Sequence, residues 1–445
     1  MATVQTPGEL PAVGFARPDD TPPDDPRRHL RCNTVLTIGE IISFSIGAAF
    51  FDASTVLVGF VATLTASTIF LGLVPTIFQV GIGLPQLLVA RFLARRSRKI
   101  PLLIVASLFR NTPIFVLAAF AWSRPEPAML LLVFFVCYAL FAIGVGAESV
   151  AWIDIFAKIA PPERRGQISA IGRTAGNIFS LAAGFLVSRV LASQDQFPRN
   201  YGLLFLAAGV LLTVAFGVFA FVHEPIDPAP IPAESPRGAP DDRSILSQGR
   251  QIWRHDGRFR GLLGARVLYI AHLVAIPFYL RFARDTVGVD DASIGLFVSA
   301  SMLGQLLANG LWGWISSRFG NQRVVQGALV IATLIPLYVL LTPYLPQQAF
   351  LLVYVAVGAV IASEFIGWMN LLLEIAPAPS RPLYISLQGT LLLPANLFPL
   401  FGGVALSVLP YRVFFPLIAV ALAFGCVLVS RLGTGMRAHS ANAAM

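Results

Sequence analysis

The sequence predicts an all-α membrane protein, with twelve transmembrane helices in two pseudo-symmetric six-helix bundles. Three observations lead there. Hydrophobic residues make up 56% of the 445 positions and charged residues only 12%, about half the charge of a soluble domain. Apolar runs of about 18 residues or more recur along the chain, continuous rather than alternating, which favours spanning helices over a barrel. The third is a repeated phrase: ESVAWIDIFAKIAPPERR from Glu148 returns as EFIGWMNLLLEIAPAPSR from Glu364, 216 residues later.

The predicted spans run over 33–61, 69–91, 100–122, 128–159, 166–191 and 201–222, then 261–284, 292–316, 323–342, 347–375, 382–408 and 411–431. Several exceed the roughly 20 residues a bilayer needs, so they tilt or project into water. Basic residues fix their orientation. The loop after span 2, RFLARRSRK, carries five, and Lys158, Arg164 and Arg165 follow span 4. The alternate loops, SRPEP, QDQFPRN, DTVGVDD and TPYLPQQ, are poor in base. The positive-inside rule then puts both termini in the cytoplasm.

The organisation follows. Residues 1–32, rich in Pro and Asp, read as a disordered cytoplasmic tail with no apolar signal segment. Bundle 33–222 is joined to bundle 261–431 by a cytoplasmic linker, 223–260, and residues 432–445 form a second tail. The linker opens with HEPIDPAPIPAESPRGAP, extended by its prolines. It continues RSILSQGRQIWRHDGRFR, where Ile245, Leu246, Ile252 and Trp253 share one helical face among arginines. That pattern suits a helix lying on an anionic leaflet or, alternatively, a merely solvated basic linker. The net charge of +9 falls in such short loops and does not indicate nucleic-acid binding. Cys32, Cys137 and Cys426 are far apart, so neither a disulfide framework nor a metal site is expected, and no cofactor is implied.

Two six-span halves with an echoed sequence (PQLL at Pro85, GQLL at Gly304) are a common secondary-transporter plan, with substrate bound between the halves. Over 33–431 the chain resembles the major facilitator superfamily, whose loop signature G-x-x-x-D-R-x-G-R-K/R follows spans 2 and 8. After span 8, GWISSRFGNQR matches at Gly313, Arg318 and Gly320, with Ser317 in place of the acid. After span 2, Arg96 and Lys99 match, while Arg91, Arg95 and Arg98 replace Gly, Asp and Gly. The missing acid leaves the family's charge-based latch at these loops incomplete. Span 5, GRTAGNIFSLAAGF, lacks the Gly-Pro pair of drug antiporters. The resemblance implies a monomer that rocks its halves around a cavity lined by spans 1, 4, 7 and 10.

Charges inside spans are the candidate site. Each costs about 2.5–3.5 kcal/mol to insert and usually faces a partner or a wet cavity. Glu148 and Glu364 each lie 13 residues before their turn proline, about 20 Å along a helix. Facing one cavity, they would bind a cation or carry protons; the alternative is that both lock helices together. Trp152 and Trp368, one turn on, offer a flat apolar or cation-π wall. His272 is a second proton-handling candidate, or a packed histidine. Arg110 would neutralise Glu148 or an anionic substrate. Glu40 and Arg266 would form an inner gate or pair across the halves. Asp154 and Arg173, replaced by Asn370 and Gly389 in the second copy, are expected to form a structural salt bridge away from the cavity. Gln79, Gln305 and Asn309 suit helix–helix hydrogen bonds.

The expected function is proton-coupled efflux of a small, partly apolar molecule by alternating access. Uniport or proton-coupled import by the same fold is the alternative. No GxxxxGK[ST] loop points to ATP-driven pumping, and no HExxH or nucleophile–base set supports a membrane-embedded enzyme.

Overall fold

The structure is a computed structural model that describes residues 29–93, 96, 98–193, 196–225, 242–377 and 380–432. The proline-rich start of the linker and most of both predicted tails lie outside the described residues. Among the described residues twelve helical spans are long and apolar enough to cross a membrane. Spans 1 to 6 are Leu30–Phe50, Thr68–Gln86, Ile100–Trp122, Pro127–Ile159, Pro162–Leu191 and Arg199–Ala220. Spans 7 to 12 are Gly257–Val287, Ala292–Phe319, Asn321–Tyr344, Gln347–Ile375, Leu383–Leu406 and Tyr411–Ser430.

The first predicted span is too long by a turn and a short helix. The helix stops at Phe50, and a second one runs Val56–Leu64. Asp52 makes the break: its Oδ1 accepts from Ser54 N at 3.0 Å, Ser54 Oγ at 2.6 Å and Thr55 Oγ1 at 2.7 Å. A short side chain that satisfies nearby donors in this way competes with helical hydrogen bonding. Spans 3 and 4 fall within a residue of prediction. Proline takes the first or second helical position in both, where its missing N–H is not needed.

Both described termini meet the connection between the halves at one end of the molecule, here termed the connection end. Asn33 Nδ2 donates to His223 O at 3.2 Å, and His223 N donates to Asn33 Oδ1 at 3.0 Å. The basic part of the linker folds as a helix, Asp242–His255. Ile252 packs toward the core and Trp253 is exposed. Asp256 then caps span 7, accepting from Phe259 N at 2.9 Å, and binds Tyr384 Oη of span 11 at 2.7 Å.

The halves touch through spans 5 and 8 and through spans 2 and 11. Their closest approach is at the opposite end. There Gly184 of span 5 meets Gly295 and Ser299 of span 8 so tightly that a Cβ on either glycine would collide with backbone. Ser299 Oγ donates to Leu181 O at 2.8 Å, and Thr68 Oγ1 of span 2 to Gly403 O of span 11 at 2.7 Å. Arg284 bridges the halves too, reaching Gly59 O and Thr63 Oγ1 at 3.3 Å each and its own Asp291 at 2.5 Å. At the connection end, segments Gly257–Tyr269, Asn370–Ile375 and Arg381–Leu392 take their main packing from the second half and the linker helix. Among the described residues these segments have no substantial packing against spans 1 to 6, so the halves are sealed at the opposite end and parted by a cleft at the connection end.

Candidate functional site: a charged cleft between the two halves

The repeated phrase occupies two different environments. In the first copy span 4 is α-helical throughout. Gly144, one turn before Glu148, lets the backbone of span 3 come so close that a Cβ would lie 2.6 Å from Arg110 Cα. This contact delivers Arg110 to Glu148: Nη1 lies 2.5 Å from Oε2, with Arg110 2% and Glu148 7% exposed. The guanidinium is further used, Nε donating to Asn111 Oδ1 at 2.8 Å and Nη2 to Leu212 O at 3.3 Å. Its plane faces Phe44 at 5.5 Å. From span 3 this one side chain touches spans 1, 4 and 6. Of the two expected roles for Arg110, the structure places it on Glu148.

In the second copy, the helix of span 10 widens into a π-helical turn over Glu364–Met369. Such turns are rare and often mark functional positions. Glu364 pairs there with Arg266 Nη2 of span 7 and stays partly exposed. The Arg266 guanidinium lies over Tyr269 at 5.1 Å and Trp368 at 4.9 Å, so Trp368 is a cation-π wall for a protein cation. His272 is buried, its Nδ1 2.5 Å from Tyr269 O and its ring 4.2 Å from that of Tyr269.

Two predicted pairings are replaced. Arg266 joins Glu364 of its own half rather than Glu40 across the cleft. Glu40 instead accepts from Trp152 Nε1 at 3.1 Å, because Trp152 projects from span 4 toward span 1. Asp154 and Arg173 are not joined. Asp154 pairs with Lys99 Nζ and lies 3.5 Å from Lys158 Nζ. Similar height on neighbouring spans did not ensure that their side chains pointed at each other: Arg173 projects into the cleft, its guanidinium 4.3 Å from the Phe365 ring of the other half.

A cluster at the connection end was missed by sequence reasoning. Glu224, just after span 6, accepts from Lys99 N at 2.9 and 2.8 Å and from Ile100 N at 3.0 Å, and pairs with Lys158 Nζ at 3.0 Å. An acid capping the N-terminus of span 3 complements its dipole. Lys99 of the loop motif thus joins Asp154, Lys158 and Glu224 in one network within the first half. Only the HEP tripeptide closing span 6 hinted at this. In the second half Gly320 ends span 8 with φ +84°, a conformation open to glycine. Asn321 then donates to Glu374 Oε1 at 2.6 Å. Arg318 lies over Phe319 and Arg96 over Phe92, at 5.9 and 5.0 Å. Gly313 has nothing within 4 Å of a Cβ position.

Among the described residues no group of three or more His, Cys, Asp or Glu is placed to hold a metal ion. The site's chemistry is that of carboxylates, guanidinium groups and aromatic faces. It can exchange protons and recognise charge.

The fold is shared by solved transporters. A peptide transporter bound to alafosfalin superposes with a TM-score of 0.65 at 15% identity, covering 92% of this chain and all of that one. A D-xylose–proton symporter gives 0.65 at 16% identity, covering 91% and 98%. A bacterial homologue of the iron transporter ferroportin gives 0.63 at 15%, covering 91% and 99%. An uncharacterized protein of Mycobacterium tuberculosis (strain ATCC 25618 / H37Rv) is 25% identical over 258 residues, 56% of this chain and 48% of that protein. One from Mycobacterium bovis (strain ATCC BAA-935 / AF2122/97) gives the same figures. The chain spans about half the length of these curated relatives. The profile described as MFS/sugar transport protein matches residues 98–374, well over half of the chain. With twelve spans in two bundles and the fold of those transporters, the chain belongs to the major facilitator superfamily, in the family of MFS/sugar transport proteins.

Proposed function

We propose that this membrane transporter is a proton-coupled exporter in which the Glu364–Arg266 pair is the coupling switch. The observation that carries the reading is the contrast between the two copies of the phrase. Glu148 is sealed beside a fully engaged arginine, whereas Glu364 borders the cleft, in a π-helical turn, beside an arginine whose Nε and Nη1 have no hydrogen-bond partner. A proton reaching Glu364 removes the charge that holds Arg266 and frees span 10 to shift against span 7. A proton leaving restores the pair. Glu40, buried in span 1 and held by a tryptophan N–H rather than a cation, is a second carboxyl that a proton can neutralise without breaking an ion pair. The connection end faces the cytoplasm of the inner membrane in this reading, so the cleft loads from inside the cell, and the protein acts as a monomer.

The test is transport in proteoliposomes across a panel of small carboxylates, amines and sugars, with and without an imposed pH gradient. Substrate should accumulate against the direction of proton flow in the parent protein. In Glu364→Gln, accumulation should fall to the level reached without a gradient, while exchange of substrate for substrate continues. Glutamine keeps the shape and the acceptor but not the titrating proton. Full gradient-driven accumulation in that variant would remove Glu364 from coupling. Accumulation in the direction of proton flow would make the protein an importer.

A further inference from the structure

We infer that Arg173 is an anion-binding residue, and that the transported molecule carries a carboxylate or similar anionic group on a flat apolar body. The inference rests on the transport reading above and names its substrate class. Arg173 lies 11 residues into span 5 from Pro162, about 16 Å from the connection end. A lysine or arginine near a helix end can bring its charge to water by stretching along the bilayer; one this deep, turned toward the other half, cannot. Arg173 is an exposed residue, and its guanidinium faces the other half. Among the described residues its guanidinium lies against the ring of Phe365 at 4.3 Å, Glu40 attracting it from farther off without contact; no ion pair or hydrogen bond reaches it.

The other two deep arginines each hold a carboxylate. Arg110 is bound by Glu148, Asn111 and Leu212, and Arg266 by Glu364 through Nη2, its unpartnered Nε and Nη1 being buried. Arg173 alone of the three holds no carboxylate and keeps its whole planar donor set free. A guanidinium in this state matches a carboxylate or phosphonate by two parallel N–H···O bonds. Phe365, 60% exposed in the π-helical turn beside Glu364, provides an apolar face at the same spot. A flat aromatic anion would put its body on Phe365 and its charge on Arg173, bridging span 5 of one half and span 10 of the other. The bound molecule would then contact the turn that holds the Glu364–Arg266 pair.

The test uses the full chain purified in detergent, with benzoate as probe and benzamide as its uncharged counterpart. Thermal unfolding is followed as each is titrated. Benzoate should raise the midpoint saturably and benzamide should not. In Arg173→Gln the apparent benzoate affinity should drop by about tenfold or more, the scale of one lost charge-assisted hydrogen bond. Arg173→Lys should retain part of it. A size-exclusion profile identical to the parent's checks the fold of each variant. Equal response to benzamide, no saturable response to benzoate in the parent, or an unchanged benzoate response in Arg173→Gln would each overturn the assignment. Benzoate flux in proteoliposomes separates the two readings. Arg173-dependent binding without flux contradicts transport and keeps the anion site; flux that is indifferent to Arg173→Gln does the reverse.

Discussion

Replacing Glu148 with glutamine should cost the protein more stability than any other single charge removal in the spans. The pair it breaks is buried, with Arg110 2% and Glu148 7% exposed. The orphaned guanidinium has no second carboxylate in contact with it and is anchored by Asn111 and the Leu212 carbonyl. Removing one member of a buried pair costs about 3–5 kcal/mol, because the remaining charge stays desolvated, whereas replacing both with apolar residues of similar volume is often neutral. Glu148→Gln should therefore unfold at markedly lower temperature, and Arg110→Met with Glu148→Met should recover most of the loss. Thermal unfolding of the purified chain, read by size-exclusion profile after heating, measures both. Parent-like stability of Glu148→Gln would mean that the pair does not hold spans 1, 3, 4 and 6 together. By the same reasoning Glu364→Gln should be mild in stability and severe in coupling, since its pair borders the cleft.

Gly184→Leu should abolish transport without dismantling either bundle. A side chain there would strike Ser299 Oγ and the backbone at Gly295, where spans 5 and 8 of the two halves meet. Packed backbones cannot absorb that volume within a few tenths of an ångström. The collision is relieved by parting the halves at the opposite end, which prevents the seal seen here. Gly217→Leu is the control, because nothing lies within 4 Å of a Cβ on that glycine. Flux in proteoliposomes should vanish for Gly184→Leu and stay near the parent's for Gly217→Leu. Parent-like flux in Gly184→Leu would show that closure there is not part of the cycle.

Spans 3 and 4 were legible almost to the residue, since apolar length and a proline near each start mark them directly. The spacing of the two phrases likewise placed Glu148 and Glu364 on corresponding spans. What the sequence left open was direction. Asp154 and Arg173 have similar heights on adjacent spans, yet one turns to Lys99 and the other across the cleft. Helical spacing gives a residue's height and its angle on its own helix, but not how that helix is rotated against its neighbours. The break at Asp52 was written in the run DAST, but the surrounding apolar residues masked it. The π-helical turn at Glu364 had no proline to announce it. Two copies of one phrase therefore came to differ through their partners, Arg110 in one and Arg266 in the other, which lie outside the phrase.

The central claim is that the halves rock, opening one end of the cleft as they close the other. Pulsed spin-label distances across the halves test it most directly. One pair of labels would sit at the connection end, on Gly166→Cys and Gly313→Cys. A second would sit at the opposite end, on Ala66→Cys and Ser407→Cys. Cys32, Cys137 and Cys426 would be replaced by serine or alanine. Cycling the pH or adding a transported compound should shorten the first distance and lengthen the second in the same sample population, and Glu364→Gln should blunt the response to pH. Distances that stay fixed, or that change in the same sense at both ends while transport proceeds, would contradict alternating access in this protein.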